Sequence, residues 1–476
     1  MGSPLFIALY WLIVLSIVLV IIAENRNPLK TVPWIVIVLL LPVVGIVLYI
    51  FFGEDLRHVR IIDRRVYSRI TYIPFVMQRR LLAQHSKEEY KTPLRRIVKK
   101  VANSPLLPIT SLSIYTTGEE KFSALIEDLK AANHHIHMEY YSFMNDTIAT
   151  TIAEILKEKA KKGIRVRVIY DDVGSWRTKK KFWRALRKAG VETYPFMRVF
   201  FPLLSSRVNY RNHRKLVVID GKIGYFGGMN VADKYIQGDK LGPWRDTHFR
   251  ITGGAVYLLQ SLFILDWHMV SQCVLTVRDY FAPIQKNETD IPSNPPLMQL
   301  IAGEPVGKWR TIEQAITTLI MNAKERIDIE TPYLLPTNNL NNALITAALS
   351  GVKIRLLIPS KSDVPTVHLA SLSYLGDLMD AGIEIYTYEK GFLHSKMIVV
   401  DGKVTASGSA NLDFRSFEHN FELLALLYDT NTASKLEQIF ERDLQNSKKV
   451  DPQSWGKRPF TKRFVESVMR LFSPLL

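Results

Sequence analysis

The chain has a single cysteine, Cys273, in 476 residues. That excludes an intrachain disulfide and any metal site built from several cysteines, and it is compatible with a reducing compartment. Acidic residues are also scarce. The 45 Asp and Glu stand against 62 Lys and Arg, a net charge of +17. An anionic partner is expected, and nucleic acid and anionic lipid headgroups both qualify. No cluster of carboxylates or cysteines suggests a metal site, so neither a metal nor a cofactor is expected.

Charge is missing altogether from two stretches near the start. Leu5 to Ala23 is a run of 19 uncharged residues, about 28 Å as a helix and enough for a hydrocarbon core of roughly 30 Å. A polar turn with Arg26 and Lys30 follows, then 21 uncharged residues from Val32 to Phe52 that contain Pro33, Pro42 and Gly45. Together they predict a transmembrane helical hairpin over 1–55. Arg57, Arg60, Arg64, Arg65 and Arg69 come next in a basic juxtamembrane linker, 56–103, so the positive-inside rule expects a multi-pass cell-membrane protein with a cytoplasmic body.

What the remainder does have is a repeat. YRNHRKLVVIDGKIGYFGGMN at Tyr210 to Asn230 recurs as FLHSKMIVVDGKVTASGSAN at Phe392 to Asn411. His213, Lys215, Asp220, Gly227 and Asn230 fall in the same phase as His394, Lys396, Asp401, Gly408 and Asn411, with His and Asn 17 residues apart in both (230 − 213; 411 − 394). Other blocks answer each other in the same order, IHMEYYSF with IDIETPYL and GIRVRVIYDD with GVKIRLLIPS. β-branched runs alternate with amphipathic segments, which predicts one α/β fold duplicated, with halves at 104–287 and 288–450.

Three further segments carry expectations. Phe200, Phe201, Leu203 and Leu204 around Pro202 read either as a core strand or as an apolar lip for a bilayer. Trp176 to Lys188 interleaves Trp176, Phe182 and Trp183 with seven cations and reads as a solvated helix or a headgroup-binding face. In the basic tail 451–476, Phe460, Phe464, Val468, Leu471 and Leu475 are spaced for an amphipathic helix that lies at an interface or packs on the body.

Each motif reads as a strand, where residues two apart share a face. His213 therefore projects with Lys215, and His394 with Lys396. If the halves pack about a pseudo-twofold axis with these strands adjacent, one pocket receives two imidazoles, two ammonium groups and the amides of Asn230 and Asn411. Such a set suits a phosphodiester. One neutral histidine attacks phosphorus, the other protonates the departing alkoxide, and the lysines and asparagines hold the nonbridging oxygens.

The pattern HxKxxxxD followed by GGMN or GSAN resembles the signature of the phospholipase D superfamily. VPWIVIVLLLPVVGIVLYIFFG, PWRDTHFRITG and the final SPLL are similar to the bacterial cardiolipin synthases along nearly the whole chain. The resemblance implies two phospholipase D-type α/β/α sandwich halves forming one catalytic unit, and conversion of two phosphatidylglycerol molecules into cardiolipin and glycerol. It implies His213 as nucleophile and His394 as general acid, then base, with Lys215, Lys396, Asn230 and Asn411 on the phosphate. Asp220 and Asp401 belong to the catalytic signature but in the family are more often structural. Asp246 and Glu422, 33 and 28 residues after their histidines (246 − 213; 422 − 394), are the expected imidazole partners. Ser409, opposite Gly228, offers the phosphate a hydroxyl. Rival readings are a phospholipase D hydrolase, a nuclease, which the hairpin argues against, and an idle scaffold for anionic lipid. No nucleic acid partner is expected, and a homo-oligomer is left open.

Overall fold

A computed structural model of the chain describes residues 4–23, 28–52, 63–81, 90–199, 209–273, 275, 277–281 and 295–474. Its body holds two large sheets with one topology. Across the first the order is Ser111–Tyr115, His248–Thr252, Ile223–Gly227, Lys215–Ile219, His135–Tyr140, Arg165–Asp171, Glu192–Phe196. The second repeats it as Leu297–Gly303, Glu422–Tyr428, Val404–Gly408, Met397–Val400, Arg326–Glu330, Lys353–Pro359, Glu384–Tyr388. The last three strands of each order run parallel to one another and the others antiparallel. Their near-continuous apolar runs follow from burial on both faces.

Each sheet carries its own helices outside, Gly118–Ala131 and Thr147–Lys161 on the first, Thr311–Met321 and Asn338–Leu349 on the second. Between the sheets lies one shared core. The helices Val256–Ser271 and Thr430–Gln445 join it, with Leu216, Val218, Phe226 and Phe249 from the first sheet and Met298, Met397, Val399 and Leu423 from the second. Every residue from Val256 to Trp267 is buried, as befits a helix apolar around most of its circumference. The expected duplicated α/β halves are therefore present, fused through a common helical layer.

The linker anticipated at 56–103 is not a linker in its described parts. Arg64–Leu81 packs Ile70, Met77 and Leu81 into the shared core. Pro93–Ala102 inserts Leu94 and Val98 into the second half. Leu107–Pro108, assigned by sequence to the first half, pairs with Leu297–Met298 at the edge of the second sheet. Apolar residues at helical spacing, masked by many arginines, carry this segment across both halves.

Ahead of the body, Pro4–Ala23, Pro28–Leu40 and Pro42–Phe52 are helical. Val14, Val18, Ile21, Val38 and Tyr49 pack together. Among the described residues, no helix is long and apolar enough to cross a membrane. The second apolar run is divided at Leu41, before Pro42. The predicted transmembrane hairpin is thus seen only as helices that pack on one another.

The interleaved segment 176–188 buries Thr178, Trp183 and Leu186 and leaves all seven of its cations exposed. Lys180–Lys188 is a helix whose Trp183 is buried and stacks on Tyr170 at 3.6 Å, while Trp176 stays exposed. The tail helix Phe460–Leu471 docks through Met469 near Tyr374 and Val367, and leaves Phe460, Phe464 and Leu471 exposed. The apolar lip at 200–204 lies outside the described residues.

Candidate active site

The two halves meet through short bridges placed just before the motif strands. Asn212 bridges to Phe421, and Phe392–Leu393 pairs in parallel with Trp244–Arg245. The backbone N–H of His213 donates to the Phe421 carbonyl at 2.8 Å, and that of His394 to the Arg245 carbonyl at 2.7 Å. Phe421 precedes Glu422 and Arg245 precedes Asp246, so each histidine is pinned beside the carboxylate of the opposite half. The motif strands themselves sit in separate sheets and are not paired with each other.

The side chains complete the exchange. His213 Nδ1 lies 2.9 Å from Glu422 Oε1, and His394 Nδ1 lies 2.6 Å from Asp246 Oδ2. A carboxylate can only accept, so each Nδ1 carries the proton and each Nε2 is left with its lone pair. Sequence order suggests acids serving the histidine of their own half. The structure corrects this: the pairs are crossed. Residue spacing within one half holds no information about which half a side chain will face.

Lys215 and Lys396 donate to the carbonyl oxygens of His213 and His394. Asn230 accepts from the Ser142 N–H at 3.1 Å and donates to Tyr235 at 3.1 Å; Asn411 donates to Asp413 at 3.0 Å. Each amide retains a second N–H. Ser409 Oγ donates to the Glu422 carboxylate rather than standing ready for phosphate. Asn420 supports the same carboxylate from 3.1 Å. Opposite Ser409, a Cβ on Gly228 would come within 2.1 Å of Asp246 Oδ1. Glycine is required there because the shorter acid lies against the backbone. Gly228→Ala is expected to displace Asp246, lower turnover on the order of a hundredfold and cost about 1–3 kcal/mol, as steady-state kinetics and thermal unfolding would measure.

Asp220 and Asp401 are not brought into this constellation. Each opens an Asp-Gly hairpin turn, with φ of 54° at Asp220 and 64° at Gly221, and 52° at Asp401 and 60° at Gly402. Those values fit a type I′ turn. The Asp220 carboxylate accepts the backbone N–H groups of Asn133, His134 and His135, and Asp401 those of Lys324, Glu325 and Arg326. Both fix the start of a neighbouring strand.

Other residues around the site have no motif to announce them. The ring of Trp244 lies 5.2 Å from His394, and that of Tyr141 lies 5.0 Å from His213. Buried Arg214 pairs with Asp266, and buried Arg245 with Asp443 and Glu330. Period-two alternation does point Arg214 away from His213 and Lys215, but only the fold supplies its partner. Lys121, fully buried, donates to Tyr140 at 3.1 Å.

Burial favours neutral forms here, and the local charges divide the two dyads. It pushes Asp246 up to about 6 against Lys396 and the Thr247 N–H. It would raise Glu422 too, but His213, Lys215 and Ser409 outweigh it and hold that carboxyl below its usual range. Burial draws His213 down to about 4, opposed by Glu422, and holds His394 well below its ordinary value. Both lysines are lowered by burial as well, with Glu422 opposing foremost at Lys215 and Asp246 at Lys396. Lys396 acts electrostatically on His213, and Lys215 on His394, so the two motifs share one field. An entering anion would favour the ammonium forms. Among the described residues no group of three His, Cys, Asp or Glu side chains could hold a metal ion.

Known proteins decide the family. The family described as "Cardiolipin synthase, PLD-like domain" matches residues 125–240 and 316–444, one motif in each. A cardiolipin synthase of Geobacillus sp. (strain WCH70) is 42% identical over 466 residues, covering 97% of this chain and 92% of that protein. The chain belongs to the cardiolipin synthase family. Cardiolipin synthase 2 of Bacillus anthracis is another such relative, 41% identical over 464 residues, with 96% and 89% covered. The chain also matches "Phospholipase_D-nuclease N-terminal" at residues 8–54. In fold it is similar to the crystal structure of phosphatidylserine synthase from Haemophilus influenzae Rd KW20, with a TM-score of 0.61 and 16% identity over 81% of this chain and all of that one.

Proposed function

We propose that this enzyme joins two phosphatidylglycerol molecules into cardiolipin with release of glycerol, through a phosphatidyl group held on His213. The observation that carries the reading is the pair of crossed dyads, which gives two imidazoles with free Nε2 atoms, each within the field of both motif lysines. His213 Nε2 attacks phosphorus of the first lipid and the bond to its glycerol oxygen breaks. His394, which takes up a proton at Nε2 as the anionic headgroup enters beside it, gives that oxygen its proton. A hydroxyl of the second phosphatidylglycerol then attacks, the phosphorus–nitrogen bond breaks, and His394 recovers the proton. Lys215, Lys396, Asn230 and Asn411 hold the nonbridging oxygens while charge builds on them.

The 41–42% identity to cardiolipin synthases supports this outcome over the rival hydrolase, in which water would take the place of the second lipid. The membrane setting belongs to the same proposal. The helices of 4–52 form a multi-pass anchor in the cell membrane, for they expose Leu12, Leu15, Leu19, Leu40 and Val43, and lipid is the solvent such a surface suits. The arginines after Phe52 place the body on the cytoplasmic side. The exposed Phe460, Phe464 and Leu471 of the tail meet anionic lipid at its surface.

Purified protein given phosphatidylglycerol alone, in detergent with a chelator, is expected to form cardiolipin and glycerol in equal amounts. Phosphatidic acid as the sole product would favour the hydrolase. A strict requirement for metal would sink the histidine mechanism.

A further inference from the structure

In the second half Asp363 brings an exposed carboxylate toward the histidine's end of the sheet. Tyr333 donates to Asp363 Oδ1 at 2.6 Å, and among the described residues Oδ2 makes no hydrogen bond. Asp363 is exposed, so that oxygen is open to a molecule entering the site. Lys234 Nζ sits 3.6 Å over the ring of Trp244, the indole that flanks His394. Glu330 pairs with Met397, so the chain beyond Glu330 carries Tyr333, and the Asp363 it holds, toward the His394 end of the motif, and the Asp363 charge acts on Lys234, His394 and Lys396 alike. The half around His213 differs: the residue matching Tyr333 is Ser142 (333 − 142 equals 330 − 139, the offset of the paired strands), which has no ring with which to hold a rim acid.

An exposed carboxylate that serves no imidazole is out of place in a pocket for phosphodiesters, since it repels the phosphate. It is well suited to neutral hydroxyls, which donate to it, while an adjacent ammonium donates to a second oxygen of the same diol. The molecule that enters last on the His394 side brings such a group, a glycerol whose free end carries two vicinal hydroxyls. Resting on the proposed reaction, we propose that Asp363, held by Tyr333 and acting together with Lys234, binds the vicinal diol of the incoming glycerol headgroup and so selects a polyol acceptor over water and simple alcohols. One hydroxyl is then held at the carboxylate while its neighbour is presented to His394. In the transfer itself the attacking oxygen gains phosphorus, His213 Nε2 loses it, and the proton passes to His394.

The test uses the full chain in detergent, a phosphatidylglycerol donor, and labelled glycerol or propan-1-ol as competing soluble acceptors at equal concentration. Wild type is expected to favour glycerol. Asp363→Asn should lower the glycerol-to-propanol product ratio roughly tenfold, the usual size of a lost hydrogen bond to a charged group, and raise the share of phosphatidic acid while donor consumption continues. Tyr333→Phe should move the same ratio in the same direction by less. An unchanged ratio in Asp363→Asn, a parallel fall of both products, or a wild type without preference for glycerol would each overturn the proposal. Failure of the wild type to make cardiolipin from phosphatidylglycerol alone is scored separately and counts against the reaction, not the ratio.

Discussion

Replacing His213 with alanine is expected to end cardiolipin formation, lowering kcat on the order of ten thousandfold or more, as loss of a nucleophile does when the rest of a site acts with it as a unit. The structure supplies the reason for so large an effect. Glu422, Ser409 and Asn420 are all arranged around His213 Nδ1 and have no other imidazole to serve. Lys215 would keep its place on the backbone, so the pocket would still bind lipid. The loss should therefore appear in turnover more than in KM, and rapid-quench assays should find no covalent phosphatidyl group. An adduct surviving in the variant would move the attack to His394.

The second large effect concerns the carboxylates. Glu422→Gln is expected to lower kcat by a hundred- to ten thousandfold, the range seen when an imidazole loses the acid that sets its tautomer. Because the pairs are crossed, the defect should fall on the attack by His213, although Glu422 lies in the half that carries His394. Asp246→Asn should instead impair proton transfer through His394. It should also change the pH profile. Asp246 is raised to about 6 by burial, so its carboxylate form is complete above that pH and is lost below it. Wild-type turnover should fall about tenfold per pH unit below about 6 for this single ionisation, and the variant should lack that limb. Rate profiles of the two variants from pH 5 to 8 check the assignment. A limb that persists unchanged in Asp246→Asn would place it on another group.

Much of the framework could be read from residues alone. Two His-x-Lys strings in phase are enough to predict the duplication, whereas the strands expected to run through the histidines begin only at Lys215 and Met397 and lie in separate sheets. The crossing of the acids could not be read, for it depends on two bridges, at Asn212 and at Phe392–Leu393, made by residues of no distinctive type. Asp220 and Asp401 stand in the catalytic signature, with a structural role the commoner one for them in the family. Their positive φ and the glycine after each explain the pattern as turn chemistry. Ser409 looked like a phosphate ligand, whereas its hydroxyl serves Glu422; a sequence records the hydroxyl but not the neighbour one methylene longer than Asp246. The basic stretch after Phe52 seemed a linker because arginines dominate it, yet Ile70, Met77, Leu94 and Val98 place it in two cores.

The central claim is one site made by two halves, in which the first attacks and the second handles the proton. It is tested most directly by quenching the enzyme during turnover on phosphatidylglycerol and mapping the acid-labile phosphoramidate by mass spectrometry. A phosphatidyl group is expected on Nε2 of His213, absent in His213→Ala and consumed on addition of fresh phosphatidylglycerol to yield cardiolipin. A group found on His394, or turnover with no covalent intermediate at all, would contradict it.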